Sequence, residues 1–218
     1  MKKIEFRTTN DGSTTLYNGN IDECYHSMFG ARNESMHIFI KSGLEQCKKT
    51  SINVLEVGFG TGLNAFLTAL EAEKLNADIH YTTLELYPLT DTIYSQLPYP
   101  QTEQEKTLFL QLHTSPWEQS VQITPHFSIT KLQADLCTIQ FDSTFDCVFF
   151  DAFSPEKQPE LWEESIFAKI HKAMDTGGVL TTYCAKGVVR RTLQHVGFVV
   201  ERIAGPVGGK REILRARK

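Results

Sequence analysis

Nowhere does the sequence hold eighteen consecutive apolar residues, so no segment reads as a membrane-spanning helix. It also lacks any Cys-x-x-Cys or His-x-x-x-His pair. Its five cysteines (Cys24, Cys47, Cys137, Cys147 and Cys184) are odd in number and widely spaced. Neither a zinc site nor a disulfide framework follows, and no metal is expected. The start, Met1-Lys2-Lys3-Ile4-Glu5-Phe6-Arg7, has no apolar stretch after its charges and is not a secretory signal. Repeats and low-complexity tracts are absent. Together these absences point to a globular protein of the cytoplasm, with no membrane association.

A large charge of one sign is missing as well. With 22 Lys+Arg against 26 Asp+Glu, the net charge is −4, which argues against a nucleic-acid partner. The mean conceals an asymmetry, however. Residues 1–151 carry 10 basic and 19 acidic side chains, whereas residues 186–218 carry 9 basic and 2 acidic, a local net of +7. At 218 residues the chain suits one generous α/β domain and leaves no room for a second enzymatic one.

Residues 1–50 read as an N-terminal extension packed on the rest of the chain. Phe6-Arg7-Thr8-Thr9 and Thr14-Thr15-Leu16-Tyr17 flank an Asp11-Gly12 turn as a hairpin, and a helix is expected over 34–47. From Asn53 apolar runs alternate with helical patterns. Strands are expected at 53–57, 79–84, 127–132, 145–150 and 179–184. Between them, Leu63, Phe66, Leu67 and Leu70 form one helix face, and further helices are expected at 88–97, 103–113, 160–174 and 187–195. The 160–174 helix should stop at Gly177-Gly178. Strands 198–203 and 212–216 close the chain as a hairpin. Apolar strands separated by helices imply a doubly wound parallel sheet.

In such sheets the ligand lies beyond the C-terminal strand ends. The first end reads Glu56-Val57-Gly58-Phe59-Gly60-Thr61-Gly62-Leu63-Asn64. A dinucleotide fingerprint would place its third glycine at position 63, where Leu63 stands. The pattern is instead Gly-x-Gly-x-Gly with an acid two residues before it, and it resembles the first motif of S-adenosylmethionine-dependent methyltransferases. That resemblance, with the closing hairpin, implies a class I fold: Rossmann-like, with a mostly parallel seven-stranded sheet over residues 51–218. Glu56, Gly58, Gly60, Thr61, Gly62 and Asn64 are then cofactor-binding candidates. Glu85, at the second strand end, is a solvated charge or the acceptor for two ribose hydroxyls. Asp135, after the third, faces an adenine amino group or caps a helix. Asp151 ends the apolar run Asp146-Cys147-Val148-Phe149-Phe150, a costly place for a charge unless it is used or hydrogen-bonded.

Three signatures occur in order: Gly58-Phe59-Gly60-Thr61-Gly62-Leu63-Asn64; Asp151-x-Phe153-x-Pro155-x-x-x-Pro159-x-x-Trp162; and Gly187-x-Val189-Arg190-Arg191-x-Leu193 followed by Lys210-Arg211-Glu212. Together they resemble the methyltransferase domain of the MnmC family, found standalone as MnmD. The resemblance spans nearly the whole chain, including Asp11-Gly12, Tyr25-His26-Ser27 and Glu34. One departure is Gln158, where the family usually has Asn. The resemblance implies S-adenosyl-L-methionine as cofactor and tRNA as partner. The implied reaction is N-methylation of 5-aminomethyl-(2-thio)uridine at the wobble position. In MnmC this domain is fused to a flavin-dependent oxidase. Here only the methyl step is expected, with the substrate made by a separate oxidase or another upstream tRNA-modifying enzyme.

For that chemistry Asp151 is the candidate to accept the hydrogen bond and proton of the attacking amine; otherwise it holds a loop or the cofactor. Phe153, Pro155 and Trp162 are candidates for a wall around an extruded uracil, Trp162 equally for the core, and Tyr183 for the pocket rim. Lys186, Arg190, Arg191, Lys210 and Arg211, from one helix start and one hairpin, are candidates for phosphate contacts along one edge of the sheet. Two other readings stay open. One is a small-molecule N-methyltransferase or aminopropyltransferase, which needs no basic surface; the other is a noncatalytic RNA-binding module, which needs no cofactor.

Overall fold

The computed structural model describes residues 4–218; Met1–Lys3, on which the reading of the chain start as no secretory signal partly falls, lie outside the described residues. The described residues form two sheets. The smaller pairs β1 (Ile4–Thr8), β2 (Thr14–Asn18) and β3 (Glu23–Cys24), with the expected turn at Asp11-Gly12. Asp11 fixes that turn by accepting from Thr9 Oγ1 at 2.7 Å and from Ser13 N at 3.0 Å.

The larger sheet is built from β4 (Ser51–Val57), β5 (Asp78–Leu84), β6 (Ser120–Thr124), β7 (Phe127–Leu132), β8 (Phe145–Phe150), β9 (Met174–Thr182), β10 (Val199–Ala204) and β11 (Glu212–Arg217). Their spatial order is β10-β11-β9-β8-β4-β5-β7-β6. The five central strands run parallel, while β11 and β6 pair antiparallel with their neighbours. The sheet is thus of the expected class with one strand more than the seven expected. The addition is β6, a half-exposed edge strand whose polar sequence carries no apolar run.

Helices cover both faces. Between the strands lie α1 (Ala31–Ser35), α2 (Leu63–Leu75), α3 (Asp91–Tyr94), α4 (Glu103–Thr114), α5 (Glu164–Ala173) and α6 (Gly187–Val196). The pleat sends alternate side chains of each strand to opposite layers. Ile52, Val54, Cys147 and Phe149 pack with α2, α4 and the segment 36–41. Leu55, Val57, Val148 and Phe150 pack with α5 and α6. No helix among the described residues is long and apolar enough to cross a membrane.

Four expected elements differ. The 34–47 helix is α1 running into a π-helical turn, Met36–Lys41, and then a 3-10 turn, Leu44–Gln46. The wider turn lets Ser42 N reach His37 O at 3.1 Å, and the chain breaks at Gly43, where a Cβ would stand 2.5 Å from Phe39 O. The 88–97 helix shrinks to α3, since Thr90 is extended and Pro98 and Pro100 bar continuation. The 160–174 helix is a 3-10 turn, Pro159–Trp162, followed by α5. Gly177-Gly178 stop no helix. They lie inside β9, where the register against β8 shifts and Gly177 takes φ +82°, an irregularity suited to glycine.

Phe39, from the π-helical turn, packs on Phe149 of β8 with ring centroids 5.3 Å apart, both rings buried. The N-terminal segment over residues 4–50 therefore contributes to the main apolar layer. Phe39→Ala should destabilise the whole chain by about 3–5 kcal/mol. The expected reading is a single cooperative urea transition at lower midpoint; a separate early phase confined to the N-terminal segment would contradict the shared core.

Candidate functional site

A cleft of about 380 Å³ opens at the C-terminal ends of β4, β5, β7 and β8. This is where the strand order reverses, with β5 on one side of β4 and β8 on the other. Gly58, Phe59, Gly60, Thr61, Leu63 and Asn64 line it. Gly58 takes φ +93°, and its N–H and that of Phe59 both donate to Leu84 O. A Cβ there would lie 3.0 Å from the Asp151 carbonyl, so only glycine fits. Gly62, at φ +73°, sits behind the loop, where a Cβ would meet His113 at 2.7 Å. It caps α2 and does not line the cleft.

Glu85 and Asp135 both stand in the wall. The Glu85 carboxylate accepts from Gly60 N and Tyr87 N, each at 2.9 Å, which ties the second strand end to the glycine loop. Its oxygens retain lone pairs for a ligand's hydroxyls. Asp135 accepts from Cys137 N at 2.8 Å, an Asx turn in place of a helix cap. Lys169 steadies that turn by donating to the carbonyls of Leu136 and Cys137 at 2.7 and 2.9 Å. The glycine cradle, the free helix start and two wall carboxylates suit a nucleoside-bearing cofactor, and the volume is that of a small-molecule site.

Glu56 is displaced from its expected place. It does not line the cleft; the pleat turns its side chain beneath α2, fully buried, where it accepts from Thr83 Oγ1 at 2.6 Å. Burial pushes its carboxyl up to about 8.

Asp151 stands half-buried in the cleft, its Oδ2 accepting from Asn64 Nδ2 at 2.8 Å. Desolvation raises it to about 7 against that hydrogen bond, with the nearby Glu34 charge adding and Lys210 opposing. Asp146, at the other end of β8, pairs with Lys49 at 2.5 Å, far from this chemistry. Phe153 lines the cleft, and Tyr25 meets it edge-on with centroids 5.1 Å apart. Tyr183 lines it too, donating to Ala152 O at 2.9 Å. Lys210 Nζ lies 3.6 Å from the Tyr183 ring centroid and 3.3 Å from Glu34 Oε1.

Pro155 and Trp162 are not in the lining. Trp162 belongs to the core, wedged against Phe150 and Phe167, its indole N–H donating to Phe153 O at 2.8 Å. It shapes the wall from behind. The Gln158 amide oxygen accepts from Phe153 N at 3.1 Å, so this departure from the family pattern serves the loop's own backbone. Lys186, Arg190, Arg191 and Arg211 also lie outside the lining. By topology, α6 starts and β11 begins at the cleft end of the sheet, beyond the end of β9. Lys186 is paired with Glu156. The tail as a whole is not one basic edge: Arg215 pairs with Glu201 at 2.8 Å, and Lys218 reaches Met174 O at the opposite end.

Sequence reasoning gave the N-terminal segment no site role, yet it forms one wall. Tyr25 covers Gly60, where a Cβ would touch its ring at 3.0 Å. His26, buried, shares a 2.7 Å hydrogen bond with Thr61 Oγ1. Glu23 accepts from Ser154 N and Oγ at 3.1 and 2.8 Å, and Glu34 accepts from Ser27 N at 2.8 Å. No periodic pattern marks these residues; a family likeness around Tyr25-His26-Ser27 and Glu34 was the available signal.

Burial lowers His26 to about 4 and His113, bonded to Thr61 O at 3.2 Å, to about 3. Both values lie below the ordinary 6.5. Between about pH 6.5 and 4 the unfolded chain therefore binds more protons at these sites, and their contribution to stability is lost as pH falls through that window. Each approaches a slope of about 1.4 kcal/mol per pH unit. Glu56 and Asp151 slope the opposite way, so a variant isolates the histidine. His26→Gln should lower the signed difference in unfolding free energy, the value at pH 7.5 minus that at pH 5, measured in urea. An unchanged difference would mean that His26 is not held neutral.

A family model described as S-adenosyl-L-methionine-dependent methyltransferase matches residues 100–218. The tRNA 5-methylaminomethyl-2-thiouridine biosynthesis bifunctional protein MnmC of Marinomonas sp. (strain MWYL1) is 30% identical, over 90% of this chain and 31% of that protein. Its counterpart in Ectopseudomonas mendocina (strain ymp) is 31% identical, over 88% of this chain and 32% of that protein. The chain thus spans about a third of the length of these curated relatives. Among solved structures, MNMC2 from Aquifex aeolicus is 28% identical, with a TM-score of 0.84, covering 100% of this chain and 71% of that one. Spermidine synthase from Thermotoga maritima, 13% identical with a TM-score of 0.55 over 98% of this chain and 67% of that one, shares the fold.

Proposed function

The chain belongs to the S-adenosyl-L-methionine-dependent methyltransferases, and from that premise we propose that it N-methylates 5-aminomethyl-(2-thio)uridine at the tRNA wobble position. The product is the 5-methylaminomethyl form. The observation that carries this reading is Asp151, a half-buried carboxylate raised to about 7 beside the glycine loop and facing Glu34 and Lys210. The names of the MnmC relatives support the choice of nucleoside.

S-adenosyl-L-methionine supplies a methyl group already activated on a sulfonium. Gly58, Gly60, Thr61 and Asn64 would hold it at the loop, Glu85 at its ribose and Asp135 at its adenine. The chain's own task is alignment, desolvation and proton handling. An alkyl amine is largely protonated at neutral pH, as a lysine is. The cleft carries Asp151 and Glu34 against a single ammonium at Lys210, so it attracts a cationic aminomethyl group. Asp151 Oδ1, opposite the oxygen held by Asn64, accepts the amine's proton and leaves a lone pair for in-line attack. Phe153, Tyr25 and Tyr183 offer aromatic surface to the uracil ring; stacking of an extruded base is worth about 1–3 kcal/mol.

Lys210, in the cleft wall, and Lys186, Arg190, Arg191 and Arg211, on elements that start at the cleft end of the sheet, would meet the tRNA backbone. The aminomethyl group would be made by a separate oxidase or another upstream tRNA-modifying enzyme, in the cytoplasm.

Deleting the gene should cause 5-aminomethyl-2-thiouridine to accumulate in tRNA, read by nucleoside mass spectrometry; an unchanged profile would overturn the proposal. Asp151→Ala should lower turnover about 10²–10⁴-fold while calorimetry still shows cofactor binding. In the native enzyme kcat should rise with pH through about 7 as Asp151 ionises. Arg190→Ala with Arg191→Ala should raise the KM for tRNA and flatten its salt dependence. An enzyme acting on a free small amine would be indifferent to that pair of changes.

A further inference from the structure

Glu56 is an acid in the core that the cleft does not use. Its neighbours follow from sheet register. It pairs laterally with Thr83 on β5 and Phe149 on β8, and position 151 falls on the same face as 149. The pleat thereby brings Glu56, Thr83, Tyr81 and Asp151 under the first turn of α2, which presents Asn64. The hydrogen bonds among them are incomplete. Thr83 Oγ1 donates to Glu56 Oε2 and Asn64 Nδ2 donates to Asp151 Oδ2. Glu56 Oε1, Asn64 Oδ1 and Tyr81 Oη are buried with no partner. The Asn64 amide and the Tyr81 hydroxyl both neighbour the Glu56 carboxyl. If Glu56 were ionised, the Tyr81 hydroxyl and the second Asn64 Nδ2 hydrogen would serve its carboxylate, and Asn64 Oδ1 would be left without a donor. A carboxylic acid at Glu56 adds the missing donor, and an unpaired buried acceptor is expensive enough to favour it.

We propose that Glu56 is a positioning residue acting on Asp151 through Asn64. Its carboxyl carries a proton, donates it in a hydrogen bond to Asn64 Oδ1, and polarises the amide whose Nδ2–H holds and aims Asp151. The proposal rests on the reading of Asp151 as the amine's proton acceptor. Hydrogen bonds in series strengthen one another in a low-dielectric interior, so the acid steadies the ionised form of Asp151 from one residue away. The elevation of Glu56 by burial accords with an acid form at neutrality. The other charged groups that set Asp151 are Glu34 from α1 and Lys210 from the loop before β11, while the Tyr183 and Tyr81 hydroxyls are themselves raised by its charge.

The test compares Glu56→Gln, whose amide N–H replaces the acid's donor, with Glu56→Leu, which has none. Glu56→Gln should keep kcat within about threefold and leave the acid limb of the kcat–pH profile in place. Glu56→Leu should lose about five- to tenfold and move that limb to higher pH, since the hydrogen bond that polarises the Asn64 amide is withdrawn. If Glu56→Gln behaves like Glu56→Leu, the working form is the carboxylate and the proposal falls. A second readout needs neither a methyl acceptor nor the Leu variant. The infrared difference spectrum between the native protein and Glu56→Gln at pH 7 should contain the carbonyl stretch of a protonated carboxylic acid, and its absence overturns the proposal. Failure of the native enzyme to methylate the aminomethyluridine would instead count against the functional reading, with the infrared band still deciding the state of Glu56.

Discussion

β4 and β8 lie side by side and run the same way, so the loops that leave them must diverge from a common edge with almost no space between. Gly58 resolves this: without a side chain, and at a φ closed to most residues, it lies directly against the Asp151 carbonyl. The loop that would hold the methyl donor and the residue that would receive the amine's proton thus touch through their backbones. Their separation is fixed by sheet geometry and not by flexible side chains. Alignment is the largest thing a protein can add to a displacement whose leaving group is already activated.

Around that contact three acidic side chains are drawn away from water, each with its own partner. Glu56 is sealed beneath α2 and bonded to Thr83. Asp151 is half-buried and tied to Asn64. Glu34 is buried and paired with Lys210. Of Glu56 and Asp151 the deeper carboxyl is held higher, and Asp151 lies close to neutrality. The N-terminal segment is part of this arrangement. His26 is sealed against Thr61 by the same burial that keeps it neutral, and Tyr25 and Phe153 close the apolar side.

The parts of this that the sequence disclosed were local ones. Three alternate glycines behind an apolar strand announce a loop, and a carboxylate ending a fully apolar run announces Asp151, because each anomaly is complete within a dozen residues. The misreadings share a cause, the third dimension. Glu56 looked like a ligand because it stands two residues before the glycine motif, but one step along the pleat decides between cleft and core. Trp162 at a helix start fits either wall or core until its contacts with Phe150 and Phe167 are known. Gly177-Gly178 read as a helix stop because an irregularity inside a strand leaves no periodic trace. The wall built by Glu23, Tyr25, His26 and Glu34 was invisible for another reason: polar residues in a segment of short elements carry no pattern at all.

The cleft draws its lining from Asn18 at one extreme to Lys210 at the other. No shorter contiguous stretch contains it, and the ion pair between Glu34 and Lys210 joins the beginning of the chain to its last hairpin. On the ribosome the first wall residue must wait for about 190 more to be added before the site can close. At 5–20 residues per second that delay is about 10–40 s. A nascent chain interrupted before the final hairpin would carry the glycine loop and Asp151 in an open cleft, so completeness of synthesis is itself a condition of the site's existence.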